Sequence, residues 1–409
     1  MEILDINDVT PGRRLARAVY TAEGKLLLSI GEMLTEDRLK MLRKNGFSSL
    51  AVEERSNSLR QPPEFPGDIM HSVRAAVKDR FRQMDLEEDH IQVIFNLALE
   101  RQGRITLSKP GKLPIAGKSS PAFQTQKPPK VAMKPLVESS QRMGTLPMVF
   151  HRLVEIINDP NATADEIARI ISIDPALTAK LLKLVNSPFY GLAQKIDTIS
   201  RAVVIVGTRQ LVMLAMGATL ITAFKGVPVS LINMQSFWSH SISCGVTARQ
   251  FARFAGISQP ESFFVSGLLH DIARLLVYTQ LPGHALYFLT EAKRRQEPVH
   301  DMEKETLGFT HEELGGELLR SWRCPPDLVE RVQNHHMTIT ESTSPDEVVL
   351  PAANTLAQAL GYGSSGEIFL LPLSPLTWTK LGMSPGELQE QCTLLDDKIR
   401  QVRAFFAPS

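Results

Sequence analysis

From about Leu136 onward the chain is a succession of punctuated helix signals, with no strand-like alternation long enough to build a sheet. Thr163 to Glu166 reads as a capping box ahead of IARII, and Asp174-Pro175 puts an N-cap before a proline at the first helical position. Thr198 opens ISRAVVIV, Gly207 interrupts, and RQLVMLAMGATLITAF follows. Gly256 ends the helix QSFWSHSISCGVTARQFARFAG, and Pro260 opens the next. Thr310 and Glu313 make a second capping box, and Pro325-Pro326 start another helix. The expectation for 136–409 is an all-α domain.

The preceding residues have a different character. RRLARAVY and KLLLSI flank TAEG, where Gly24 can take a positive φ, so a hairpin is expected. TEDRLKMLRKNG then reads as one short helix with Thr35 as N-cap and Gly46 past its end, and FSSLAVEE returns as a strand. Residues 1–56 are therefore expected to form a small α+β module. Over 66–103 the apolar positions Val73, Val77, Phe81, Ile91, Ile94 and Leu97 or Ala98 recur at helical spacing, a helical connector. Residues 104–135 are rich in proline and lysine without apolar period, and from Arg104 carry no acidic residue; they read as a flexible, disordered tether.

Bulk properties bound the partners. The 409 residues are 43% hydrophobic and 22% charged with a formal charge of +1, which gives no global attraction to nucleic acid or to an anionic membrane. Cys244, Cys324 and Cys392 lie far apart, so neither a disulfide framework nor a thiolate cluster is expected, and a reducing cytoplasm fits. The opening MEILDINDVT lacks an apolar export core, and the run from Leu211 is shorter than the roughly 18–20 residues of a spanning helix, which makes it a buried core helix. No Gly-rich phosphate loop is present.

Histidine carries the chemical signal. His240 sits within a helix, His270 and Asp271 are placed on the next, His311 opens another, and His335 and His336 close the one after. Neighbours on a helix point about 100° apart. A His-Asp pair can share one ion only if it lies between those two directions, with further ligands arriving from other helices. Imidazole and carboxylate together suit Fe, Mn or Zn. Against this stands the reading of each histidine as a hydrogen-bonded core or helix-end residue. Phe237, Trp238 and Trp322 read as core, and Asn186-Ser187-Pro188 as a helix end and turn.

The order His, His-Asp, His, His-His resembles the HD superfamily of metal-dependent phosphohydrolases, and more closely the HDOD domain, a bacterial signalling relative of the HD-GYP cyclic di-GMP phosphodiesterases. The resemblance covers about 136–360 and rests on IDPALTAKLLKLVNSPFYG, IDTISRAVVIVG, FWSHS, SGLLHDIARLL, GFTHEELGGELLRSW and CPPDLVERVQNHH. The N-terminal module is similar to those found before HD-GYP domains. The resemblance implies an all-α fold and a metal set of His240, His270, Asp271, His311, His335 and His336, completed in catalytic relatives by an aspartate. At the matching place stands Asn354, which brings no negative charge and weakens the set. The Gly-Lys that contacts substrate phosphate in the hydrolases is matched by Ala273-Arg274, leaving Arg274 as the candidate phosphate contact, and no Gly-Tyr-Pro segment follows His336. The expectation is a regulatory protein with a weakened metal site that acts by binding a protein partner or small messenger. The alternative is a phosphohydrolase acting on a nucleotide or cyclic dinucleotide. Oligomeric state, input signal and partner identity are not legible in the sequence.

Overall fold

The computed structural model describes residues 2–406 apart from 10–12, 14, 22–25, 29–31, 33, 35, 53–64, 109–125, 143–146, 193 and 225. The N-terminal module comprises β1 (Glu2–Asp5), β2 (Val19–Tyr20), β3 (Leu26–Leu28), α1 (Glu36–Lys44) and β4 (Ser49–Val52). β1 pairs antiparallel with β4, Ile3 opposite Ala51, and β2 with β3 as the expected hairpin. α1 covers them with Leu39 and Leu42, and Gly46 ends it at φ +80°. Gly24 and Thr35 lie outside the described residues.

The remaining elements are helices: α2 (Gly67–Arg80), α3 (Asp89–Ser108), α4 (Met133–Arg142), α5 (Met148–Ile157), α6 (Ala164–Ser172), α7 (Pro175–Val185), α8 (Ile199–Val206), α9 (Thr208–Ala223), α10 (Met234–Phe254), α11 (Pro260–Leu269), α12 (Ile272–Gln280), α13 (Pro282–Arg295), α14 (Val299–Leu307), α15 (His311–Ser321), α16 (Pro326–Gln333), α17 (Pro345–Ala359), α18 (Leu376–Leu381), α19 (Pro385–Thr393) and α20 (Leu395–Phe406). The local signals act where expected. The Thr163 and Glu166 side chains satisfy each other's backbone N–H, and Asp174 accepts from Ala176 N and Leu177 N. Asn186 ends α7 and ties its side chain to the backbone of Ile196, fixing the following turn. α9 is buried, and no single helix among the described residues is long and apolar enough to cross a membrane.

The segment read as a helical connector is α2 and α3, and it packs into the body: Val73, Val77, Phe81, Ile94 and Leu99 belong to the same hydrophobic core as α5 to α20, and Arg80 donates to Ala359 O at 2.7 Å. An apolar stripe needs a partner surface, and α17 and α19 supply it. Within 104–135, read as a disordered tether, the described residues differ from that reading. α3 continues to Ser108, and residues 126–132 lie along the helical body. There Val131 N donates to Leu307 O (3.3 Å), Lys127 pairs with Glu305 (2.7 Å), and His284 donates to Pro129 O (3.0 Å). A single extended strap shows no periodicity, so its docking leaves no pattern in the sequence. Residues 109–125 lie outside the described residues.

Candidate metal centre

Close helix packing assembles the histidines. α10 and α11 cross at Gly245 and Gly267: a Cβ on Gly245 would stand 2.5 Å from Phe264 O, and one on Gly267 would stand 2.6 Å from Gly245 Cα. Only bare backbones can approach so far. The approach sets His240 Nε2, from α10, 3.3 Å from His270 Nε2. The sequence reading places His270 and Asp271 on one helix. Instead the chain breaks there, between α11 and α12, with Asp271 at φ −100°, ψ 11°. The break frees the carboxylate from the 100° separation of helical neighbours and returns Oδ2 to 2.8 Å from His270 Nε2. His311 opens α15, and His335 and His336 lie just past α16, the helix α15 packs on.

Two triplets result, His240, His270 and Asp271, and His311, His335 and His336; within each, one ligand atom per residue lies within 4.8 Å of the others. Asp271 presents one oxygen to each triplet. Oδ2 lies 2.8 Å from His270 Nε2 and 3.5 Å from His240 Nε2, and Oδ1 lies 3.1 Å from His311 Nε2, itself 3.1 Å from His335 Nε2. Ligands bonded at about 2.1 Å to one ion stand about 3.0 Å apart in an octahedron and about 3.4 Å in a tetrahedron. The spacings are those of co-ligands.

In three of the imidazoles the second ring nitrogen fixes the polarity of the first. His270 Nδ1 donates to Gly267 O (2.8 Å), His335 Nδ1 to Val332 O (2.7 Å), and His311 Nδ1 to Glu303 Oε2 (2.5 Å). In the neutral rings, the Nε2 lone pairs of His270 and His311 therefore face the Asp271 carboxylate, and that of His335 faces His311 Nε2. Acceptors this close repel unless positive charge lies among them. Protons supply some of it: burial opposes charge on His270, yet Asp271 overrides this and lifts its pKa well above the ordinary value. Burial and Arg274 oppose charge on His311, but Glu303 and Asp271 raise it to about 9. Burial would raise Asp271, and His270 and Arg274 hold it well below the usual carboxylate range. Burial and cationic neighbours push His335 and His336 well down, which keeps both neutral and able to ligate. Burial does the same for His240, whose Nδ1 has no hydrogen-bond partner. A cation among these atoms meets the need the donor set creates, and the residues fit a divalent ion such as Fe, Mn or Zn.

Arg274, the candidate phosphate contact of the sequence reading, lies among the carboxylates of the centre. It is buried, with Nε 3.0 Å from Glu303 Oε1 and 3.7 Å from Asp271 Oδ1, and Nη2 3.6 Å from Glu367 Oε2. Nη1 donates to Ser365 Oγ at 3.0 Å. The guanidinium neutralises the carboxylates that orient the ligands instead of facing solvent. Asn354 is buried on α17, which packs on α10 and α11, and its Oδ1 has no hydrogen-bond partner. It makes none of the short contacts that join the other six. Glu303, the carboxylate behind His311, escaped the sequence reading. Its signal is a charged residue on the Val299, Met302, Thr306 face of α14, which is otherwise apolar or buried.

Residues 143–338 match the HDOD domain family, and this part of the chain is an HDOD domain. The solved structures it resembles include a Shewanella amazonensis protein named "Putative phosphohydrolase", 24% identical, covering 68% of this chain and all of that one, with a TM-score of 0.54. They also include an HDOD domain protein of unknown function from Geobacter sulfurreducens, 22% identical over 66% of this chain and 96% of that one, with a TM-score of 0.50. At these identities the likeness shows the fold. A curated relative, an uncharacterized protein of Treponema pallidum (strain Nichols), is 28% identical over 202 residues. That match spans 48% of this chain and 39% of the relative's length.

Proposed function

We propose that this chain is a signal-transduction protein of the cytoplasm whose HDOD domain holds divalent metal at the His/Asp centre and acts by binding a protein partner or a small messenger, not by turnover. When bound, the ion supplies concentrated positive charge and the capacity to acidify a coordinated water. Around it, Gly267 O, Val332 O and Glu303 orient the imidazoles, and Arg274 balances Asp271 and Glu303.

The observation that carries the non-hydrolytic reading is the enclosure of Arg274. Phosphoryl chemistry needs a cationic group aimed at the substrate phosphate. Here the guanidinium is consumed by Glu303, Asp271, Glu367 and Ser365. The uncharged Asn354, at the place where catalytic relatives carry an aspartate, supports the same reading. The test pairs metal analysis of protein purified without chelator with hydrolysis assays on bis-p-nitrophenyl phosphate and cyclic dinucleotides. Metal without turnover is expected. Turnover that disappears in His270→Ala would replace this reading with the phosphodiesterase alternative, which the paired triplets favour.

A further inference from the structure

Beyond the six ligands, a row of polar side chains runs from the second triplet toward solvent. His300, on α14, points Nε2 at Glu312 Oε1 (2.8 Å), and its ring centroid is 5.2 Å from that of His336 and 6.1 Å from that of His311. Side-chain exposure falls along the row, from 21% at His300 and 12% at Glu312 to 1% at His311 and 3% at Asp271.

Glu312 supplies the independent sign of a ligand. Its Oε2 is buried, has no hydrogen-bond partner and lies 3.5 Å from His311 Nδ1, whose proton is directed to Glu303. A buried carboxylate oxygen left without a donor is costly unless a cation satisfies it. An imidazole, a carboxylate and the adjacent His336 form a donor set of the same chemistry as the inner centre, at a place water can reach.

We propose that His300 and Glu312, with His336 behind them, form an outer divalent-cation station through which the ion enters the inner centre. His336 belongs to the inner triplet and also meets the His300 ring edge-to-face, so it is the ligand the two places share. Two protein ligands with water completing the shell make the outer station weaker than the inner one. The inference rests on the metal-binding reading above, and the experiment separates the two.

Full-length chain stripped with chelator is titrated with Mn2+ while free Mn2+ is counted by EPR, and uptake is followed in time. The wild type should take up tightly bound ion plus one further equivalent weaker by about tenfold or more. His300→Asn and Glu312→Gln, each checked for native helicity by circular dichroism, should lose the weak equivalent and slow the uptake by about tenfold, with the tight ion retained. An unchanged weak equivalent and rate in both variants, or tight binding with no weaker equivalent in the wild type, overturns the outer station alone. No Mn2+ uptake at all removes the metal-binding reading and the station with it.

Discussion

Gly267→Ala tests whether helix packing builds the centre. The new Cβ would stand 2.6 Å from both Cα and N of Gly245 and 2.8 Å from Cys244 C, where ordinary contacts are 3.4–4 Å. All three are backbone atoms of α10, so no rotamer change relieves the clash. The two helices must separate by about 1 Å in an interior packed to crystal density. Overpacking of this kind costs about 1–3 kcal/mol, which at about 2.1 cal/mol/K of unfolding entropy per residue lowers the Tm by about 1–4 °C for a body of this size. The same displacement stretches the 3.3 Å spacing of His240 and His270, so metal affinity falls with stability. Calorimetry with and without Zn2+ measures both. Gly283→Ala is the control, because a Cβ there meets nothing within 4 Å. If Gly267→Ala matched the wild type in Tm and in its Zn2+ shift, the argument from backbone approach would be wrong.

Three further expectations concern the charges around the ligands. Glu303→Gln leaves the fold intact but lowers metal affinity about 10–100-fold, read by competition with a chromophoric chelator, since it weakens the acceptor behind His311; an unchanged affinity would remove Glu303 from the centre. Arg274→Ala strands Asp271 and Glu303 as buried carboxylates and destabilises by about 3–5 kcal/mol in denaturant titration, whereas a solvent-facing phosphate contact would leave stability nearly unchanged. Because the pKa values of His270 and His311 are raised, the latter to about 9, these rings are protonated at neutral pH without metal and must release protons to ligate. Affinity should therefore climb as pH rises toward 9, and calorimetric binding enthalpies should differ between buffers of different ionisation enthalpy. Equal enthalpies would contradict this.

Local chemistry was readable where it is encoded locally. Asp174, Thr163, Gly256 and Pro260 mark helix ends by direct backbone hydrogen bonds or fixed dihedral angles, and each does so where the sequence places it. The six His and Asp side chains that the fold brings together stood out in the sequence through the order in which they occur. What escaped depends on contacts between distant segments. The carboxylate of Glu303 matters because α14 delivers it to His311, and Arg274 turns inward because Glu303, Glu367 and Ser365 arrive from elsewhere in the chain. The break at Asp271 is likewise invisible in GLLHDIARLL, which reads as uninterrupted helix, because neither His270 nor Asp271 is a proline or glycine. The docked strap at 126–132 is held by Lys127 meeting Glu305, by His284 donating to Pro129 O and by one backbone bond, none of which leaves a periodic trace.

The central claim is that converging lone pairs and the Asp271 carboxylate hold divalent metal. Elemental analysis by inductively coupled plasma mass spectrometry, on full-length chain purified without chelator and compared with Asp271→Ala, tests it most directly. The account predicts Fe, Mn or Zn at near one equivalent or more in the wild type and its loss in the variant. A metal-free wild type that also fails to take up any of the three on reconstitution would contradict it.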